Sequence, residues 1–93
     1  MGIYYAAVNR DKKEYFEAPG SFANKSPGIF HPKNPFPNMV VMMNSMGHNF
    51  EIENDAAWGC YYDIEGVKDI TDEVYKKFLE YYPWAKEHYE KDE

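Results

Sequence analysis

Three histidines, one cysteine and a dense set of carboxylates are the residues in this chain whose types could do chemistry. His31, His48 and His88 sit far apart, and none pairs with another His or with Cys60 at the short spacing a zinc site uses. Cys60 stands between Gly59 and Tyr61. A catalytic thiol needs a base and an electropositive pocket, and His48 is the candidate base; the plainer reading is a small apolar side chain in a strand. Glu51 with Glu53, and Asp63 with Glu65, are two apart, so each pair would share one face of a strand and could serve acid–base work. With sixteen acids in the chain, such pairs also arise by chance. Serine occurs only at Ser21, Ser26 and Ser45, outside any G-x-S-x-G turn, and no glycine-rich phosphate loop is present. No catalytic residues, metal site or cofactor are therefore expected.

Recognition is the chemistry that remains. Tyr4, Tyr5, Tyr15, Phe16, Trp58, Tyr61 and Tyr62 fall in adjacent pairs or singly on predicted strands. Neighbours on a strand point to opposite faces, so part of this aromatic set is expected away from the core. Tyr4, Tyr5, Tyr15, Trp58, Tyr61 and Tyr62, with Glu80 and Trp84 from the C-terminal helical region, form the expected interaction surface. Exposed Tyr and Trp are what protein interfaces and stacking sites use. Arg10, Lys12 and Lys13 are the side chains expected to meet a phosphate if the ligand is small.

The elements that must position these residues follow from patterning. Ile3 to Val8 and Lys13 to Glu17 read as a hairpin around an Asn9–Lys12 turn. Residues 18–37 hold five of the six prolines (Pro19, Pro27, Pro32, Pro35, Pro37) with Gly20 and Gly28. This is a long loop, with Phe22, Ile29, Phe30 and Phe36 as anchors that pin it across the domain. Met39 to Met43 is compatible with a buried strand, but Asn38 as a cap and Gly47 as a stop favour a helix. Phe50–Glu53 and Ala57–Ile64 read as a second hairpin. Thr71 caps a helix with Asp72 and Glu73 in its first turn and a stripe of Val74, Tyr75, Phe78, Leu79 and Tyr82. Pro83 stops or kinks it ahead of an acidic tail, residues 84–93.

Composition sets the limits around these elements. Ninety-three residues make one domain the default. Leu, Ile, Val and Phe number only 17, a level that warns of disorder. Nine Tyr, two Trp and five Met offset it and predict an aromatic, methionine-rich core. The net charge is −6, against a protein that grips nucleic acid through phosphates. The charge is uneven. Residues 1–50 carry five basic and three acidic side chains, a balance of +2, whereas residues 51–93 carry five lysines and thirteen acids, a balance of −8. A single cysteine excludes an internal disulfide, and no apolar run nears the about 18 residues of a membrane span. The first residues show no basic segment leading into an apolar stretch, so a cytoplasmic location is expected.

Val8-Asn9 followed by Lys12-Lys13-Glu14-Tyr15-Phe16 resembles the opening of a family of small uncharacterised microbial and phage-type proteins. Met42-Met43-Asn44-Ser45-Met46-Gly47, Trp58-Gly59 and Lys68-Asp69-Ile70-Thr71 are similar to later segments of that family. Its Trp-x-Gly-Asp strand is replaced here by Trp58-Gly59-Cys60-Tyr61-Tyr62-Asp63. The resemblance implies the order of elements and names no activity.

The sequence thus predicts a single α+β domain: antiparallel hairpins, about four strands, on one or two helices, with a long proline-rich loop. The expected function is non-enzymatic binding of a protein partner through an aromatic and acidic surface, with self-association as a further expectation. Small acidic proteins of this make-up are often inhibitors encoded by phages or mobile elements. The alternative is a binder of a small nucleotide-like ligand in an aromatic pocket. A weaker one is a small hydrolase or transferase.

Overall fold

The computed structural model describes residues 3–20, 22–25, 27–55 and 63–90. They form four strands, a 3-10 turn at Gly28–Phe30 and three helices, in the order β1 (Tyr5–Asn9), β2 (Glu14–Phe16), the turn, α1 (Phe36–Ser45), β3 (Glu51–Asn54), β4 (Lys68–Asp69), α2 (Thr71–Tyr81) and α3 (Trp84–Glu90). The protein is an α+β domain with one sheet in the order β3-β1-β2-β4.

The sheet is mixed, not antiparallel throughout. β1 pairs antiparallel with β2, with Val8 opposite Tyr15, and antiparallel with β3, with Ala7 opposite Ile52. β4 lies parallel to β2, with Tyr15 opposite Asp69. That parallel contact continues into α2, because Ile70 N–H donates to the Tyr15 carbonyl at 2.8 Å and Glu17 N–H donates to Thr71 Oγ1 at 3.0 Å. The first expected hairpin is present. Of the second, β3 is present and pairs with β1; residues 57–62 of its expected partner lie outside the described residues.

Two helix starts differ from the sequence reading. α1 begins at Phe36 instead of after Asn38, with Pro37 in its first turn, where a missing N–H costs nothing. Asn34 supplies the capping oxygen: its Oδ1 accepts the Phe36 N–H at 3.0 Å. α2 has Ile70 at the cap position. Thr71 is its first residue, and its hydroxyl is engaged with Glu17 N–H and, at 2.5 Å, with Asp69. The stop of α1 matches its glycine. Gly47 has φ +95°, Gly47 N–H donates to Asn44 O at 3.1 Å and His48 N–H to Met43 O at 3.2 Å. This is the paired-bond cap that needs a left-handed residue.

The main core lies between one sheet face and the helices. It gathers Ala7 and Phe16 from the sheet, Phe36, Met39, Val40, Met42 and Met43 from α1, and Val74 and Phe78 from α2. Phe16 is central, its ring 5.0 Å from Phe50 and 5.7 Å from Phe36. The opposite face carries a second cluster, in which Ala6 and Val8 are buried and Tyr15 and Ile64 pack on them.

The proline-rich stretch is pinned by amide side chains. Asn24 Oδ1 accepts the Ala18 N–H at 2.7 Å, and the Asn24 carbonyl accepts the Tyr5 N–H at 3.0 Å. Buried Asn34 donates to the Ala23 carbonyl at 2.9 Å and the Gly28 carbonyl at 3.3 Å, besides capping α1. Among the apolar anchors, Ile29 and Phe36 are buried and Phe22 is half-buried, whereas Phe30 is 42% exposed. The exposed ring lies edge-on to Tyr5 at 5.2 Å.

Candidate functional site

The stripe of α2 explains where the surface aromatics come from. Val74 and Phe78 are buried, and Tyr75 and Leu79 are half-buried on the core. α2 ends at Tyr81, Tyr82 follows, and Pro83 has no N–H to continue the helix. The chain turns and restarts at Trp84, with Ala85 N–H donating to the Tyr82 carbonyl at 2.8 Å. Four consecutive residues therefore form an elbow that cannot turn all its rings inward. Tyr81 is 60% exposed, Tyr82 39% and Trp84 56%.

Beneath these rings the elbow is firm. Tyr82 lies 5.4 Å from buried Phe78, and Trp84 lies 6.1 Å from Tyr82 and 6.4 Å from buried Tyr89. The Tyr89 hydroxyl accepts from Asn38 Nδ2 at 2.7 Å, which ties α3 to α1. His88 stands edge-on to both Trp84, at 5.7 Å, and Tyr89, at 4.6 Å. Lys33, Trp84, Glu87 and His88 line an open cleft of about 490 Å³ beside the elbow.

The expected site residues are spread over several surfaces. Tyr4 is exposed, with Lys25 Nζ 5.0 Å from its ring centroid. Tyr5 is half-buried against the main core, and Tyr15 packs on the second sheet face. Glu80 and Trp84 are exposed at the elbow. Trp58, Tyr61 and Tyr62 lie outside the described residues. Arg10 makes a two-pronged ion pair with Glu53, at 2.9 and 2.6 Å. It borders a depression that also includes Asp11, Glu51 and Glu53, a poor setting for a phosphate. Lys12 and Lys13 are exposed in the β1–β2 turn.

Tyr81 and Tyr82 were not among the expected surface residues, nor were Lys33, Glu87 and His88. The signal for the first pair is the run Tyr81-Tyr82-Pro83-Trp84, where a proline interrupts an aromatic stripe. Nothing in the sequence places Lys33 beside α3. The aromatic and acidic surfaces also separate: over residues 72–87 four acids face three lysines, while Glu51, Glu53 and Asp55 lie at β3.

Among the described residues, no group of three His, Cys, Asp or Glu side chains is placed to hold a metal ion. No buried side-chain nitrogen or oxygen there lacks a hydrogen-bond partner. No described helix is long and apolar enough to cross a membrane. No family model, curated protein or solved structure matches this chain.

Proposed function

We propose that this is a non-enzymatic protein-binding domain that docks on its partner through the α2–α3 elbow, with Tyr81, Tyr82 and Trp84 as anchors. The observation that carries this reading is the exposure of three large rings within four residues, on a base held by buried Phe78 and Tyr89. Rigid aromatic side chains lose little conformational freedom on contact and are enriched where binding energy concentrates. Glu80 stands at the rim of the patch and contributes to orientation more than to affinity.

With charges nearly balanced over residues 72–87, binding is driven by aromatic burial and is only weakly salt-dependent. A stoichiometric inhibitor of the phage or mobile-element kind, acting in the cytoplasm by covering a partner's surface, is the biological role that fits such a domain. The same patch also supports self-association.

The test is affinity capture from the native host, comparing wild type with the Tyr81→Ser, Trp84→Ser double variant. A partner retained by wild type at raised salt and lost by the folded variant supports the reading. Equal capture by both proteins overturns it. Sedimentation of the same pair separates self-association from binding of another protein.

A further inference from the structure

A second surface lies beside the elbow and shares only Trp84 with it. Its walls come from two distant parts of the chain: Lys33 from the stretch before α1, and Trp84, Glu87 and His88 from α3. Lys33 also borders an adjoining groove of about 260 Å³, which has Phe22, His31 and Asn34 among its walls. The larger cleft alone falls within the about 300–1,000 Å³ that small-molecule sites occupy.

The two walls touch each other across the cleft. Lys33 Nζ reaches the His88 carbonyl at 3.5 Å, and the Asn38–Tyr89 hydrogen bond holds α3 against α1. Lys33 N–H donates to His31 Nδ1 at 3.0 Å. With Nδ1 accepting, the neutral ring carries its proton on Nε2, which is then a donor. The Lys33 ammonium has three donors, and one long contact to a carbonyl engages at most one of them.

We propose that the two grooves form a single site for a nucleoside phosphate, with the phosphate on Lys33 and His31 and the base stacked on Trp84. An ammonium and an imidazole N–H from one loop are complementary to phosphate oxygens. A half-exposed indole offers the face on which a planar base stacks. Glu87, three residues after Trp84 on the same helix, accepts from amino groups at the edge of the base. Trp84 belongs to both this site and the docking patch, whereas Lys33 and His31 lie outside the elbow, so Lys33→Ala and Tyr81→Ser tell the two readings apart.

Calorimetric titration with GMP, guanosine and inorganic phosphate tests the proposal on wild type, Lys33→Ala, Lys33→Arg, Trp84→Leu and Tyr81→Ser. Lys33 and Trp84 are exposed, so the variants are expected to fold, which circular dichroism checks. GMP is expected to bind wild type, and Lys33→Ala and Trp84→Leu each to weaken it about tenfold or more. Lys33→Arg should retain most of the affinity, and Tyr81→Ser all of it. Guanosine and phosphate alone should bind more weakly than GMP. The proposal is overturned by absence of binding at millimolar GMP, by GMP affinity unchanged in Lys33→Ala or Trp84→Leu, or by phosphate binding as tightly as GMP. Partner capture by Lys33→Ala decides the other question separately, since that variant leaves the elbow aromatics in place.

Discussion

The stretch from Glu17 to Pro35 and the elbow from Tyr81 to Trp84 both use proline to interrupt regular structure, and they meet the interruption in opposite ways. In the first, Asn24 and Asn34 satisfy the freed backbone groups with their side-chain amides, and Pro19, Ile29 and Pro35 turn inward. In the second, rings in tilted and edge-on contact hold the turn, and the surplus rings face water. The difference teaches where to look for a partner. A segment whose polar groups are met locally buries most of its large apolar side chains and leaves one ring, Phe30, at the surface, whereas a helix cut short in mid-stripe leaves three rings outside within four residues.

Removing the base of the elbow should have the largest effect. Phe78 is 2% exposed and touches the rings of Tyr82 and Tyr89. Phe78→Ala should cost about 3–5 kcal/mol, read as a lowered denaturant midpoint. The matching deletion in the proline-rich stretch is Asn34→Ala. It removes two donated hydrogen bonds and one accepted bond at a 5% exposed position, for about 2–3 kcal/mol. Asn34→Asp separates the roles, because it keeps the cap on Phe36 and loses both donors. If Asn34→Asp were as stable as wild type, the amide donors would not be what pins this stretch.

Gly28 gives the next smaller effect. A Cβ there would stand 2.7 Å from the Ala23 Cβ, with no flexible side-chain end to move away. Gly28→Ala should therefore cost about 1–3 kcal/mol through forced displacement. Ala23→Gly in the same chain removes the opposing methyl and should recover part of the loss. Strict additivity of the two changes would mean that the close approach is not the cause.

Much of the architecture was legible because its signals are local. The Asn9–Lys12 turn, the Gly47 stop and the Val74–Phe78 stripe need only neighbours in sequence, and each has its structural counterpart. The starts of α1 and α2 lie three residues and one residue before the expected ones, because their polar groups are met from outside the expected cap. Asn34 reaches forward to Phe36, and Thr71 is taken up by Glu17 across the parallel β2–β4 contact. That parallel pairing, like the place of β3 beside β1, depends on long-range geometry that short apolar runs do not encode. The candidate site was legible only at Glu80 and Trp84. Tyr82 was assigned to the core stripe, since periodicity alone does not say how far a helix continues before Pro83. The approach of Lys33 to His88 has no sequence signature at all.

The smallest effect on stability is expected where the largest effect on binding should fall, and that pairing is the sharpest test of the comparison. Tyr81 is 60% exposed at the last residue of α2. Its removal opens no cavity. Tyr81→Ser should change stability by no more than about 0.5 kcal/mol while weakening capture of the elbow's partner. The same substitution at half-buried Tyr75, six residues earlier on the helix, reverses the ranking, because that ring packs on the core. It should lower the melting temperature clearly and leave the binding surface in place. If instead Tyr81→Ser lowered the melting temperature as much as Tyr75→Ser, its ring would be supporting the fold. The elbow would then resemble the proline-rich stretch, with its apolar groups serving the interior.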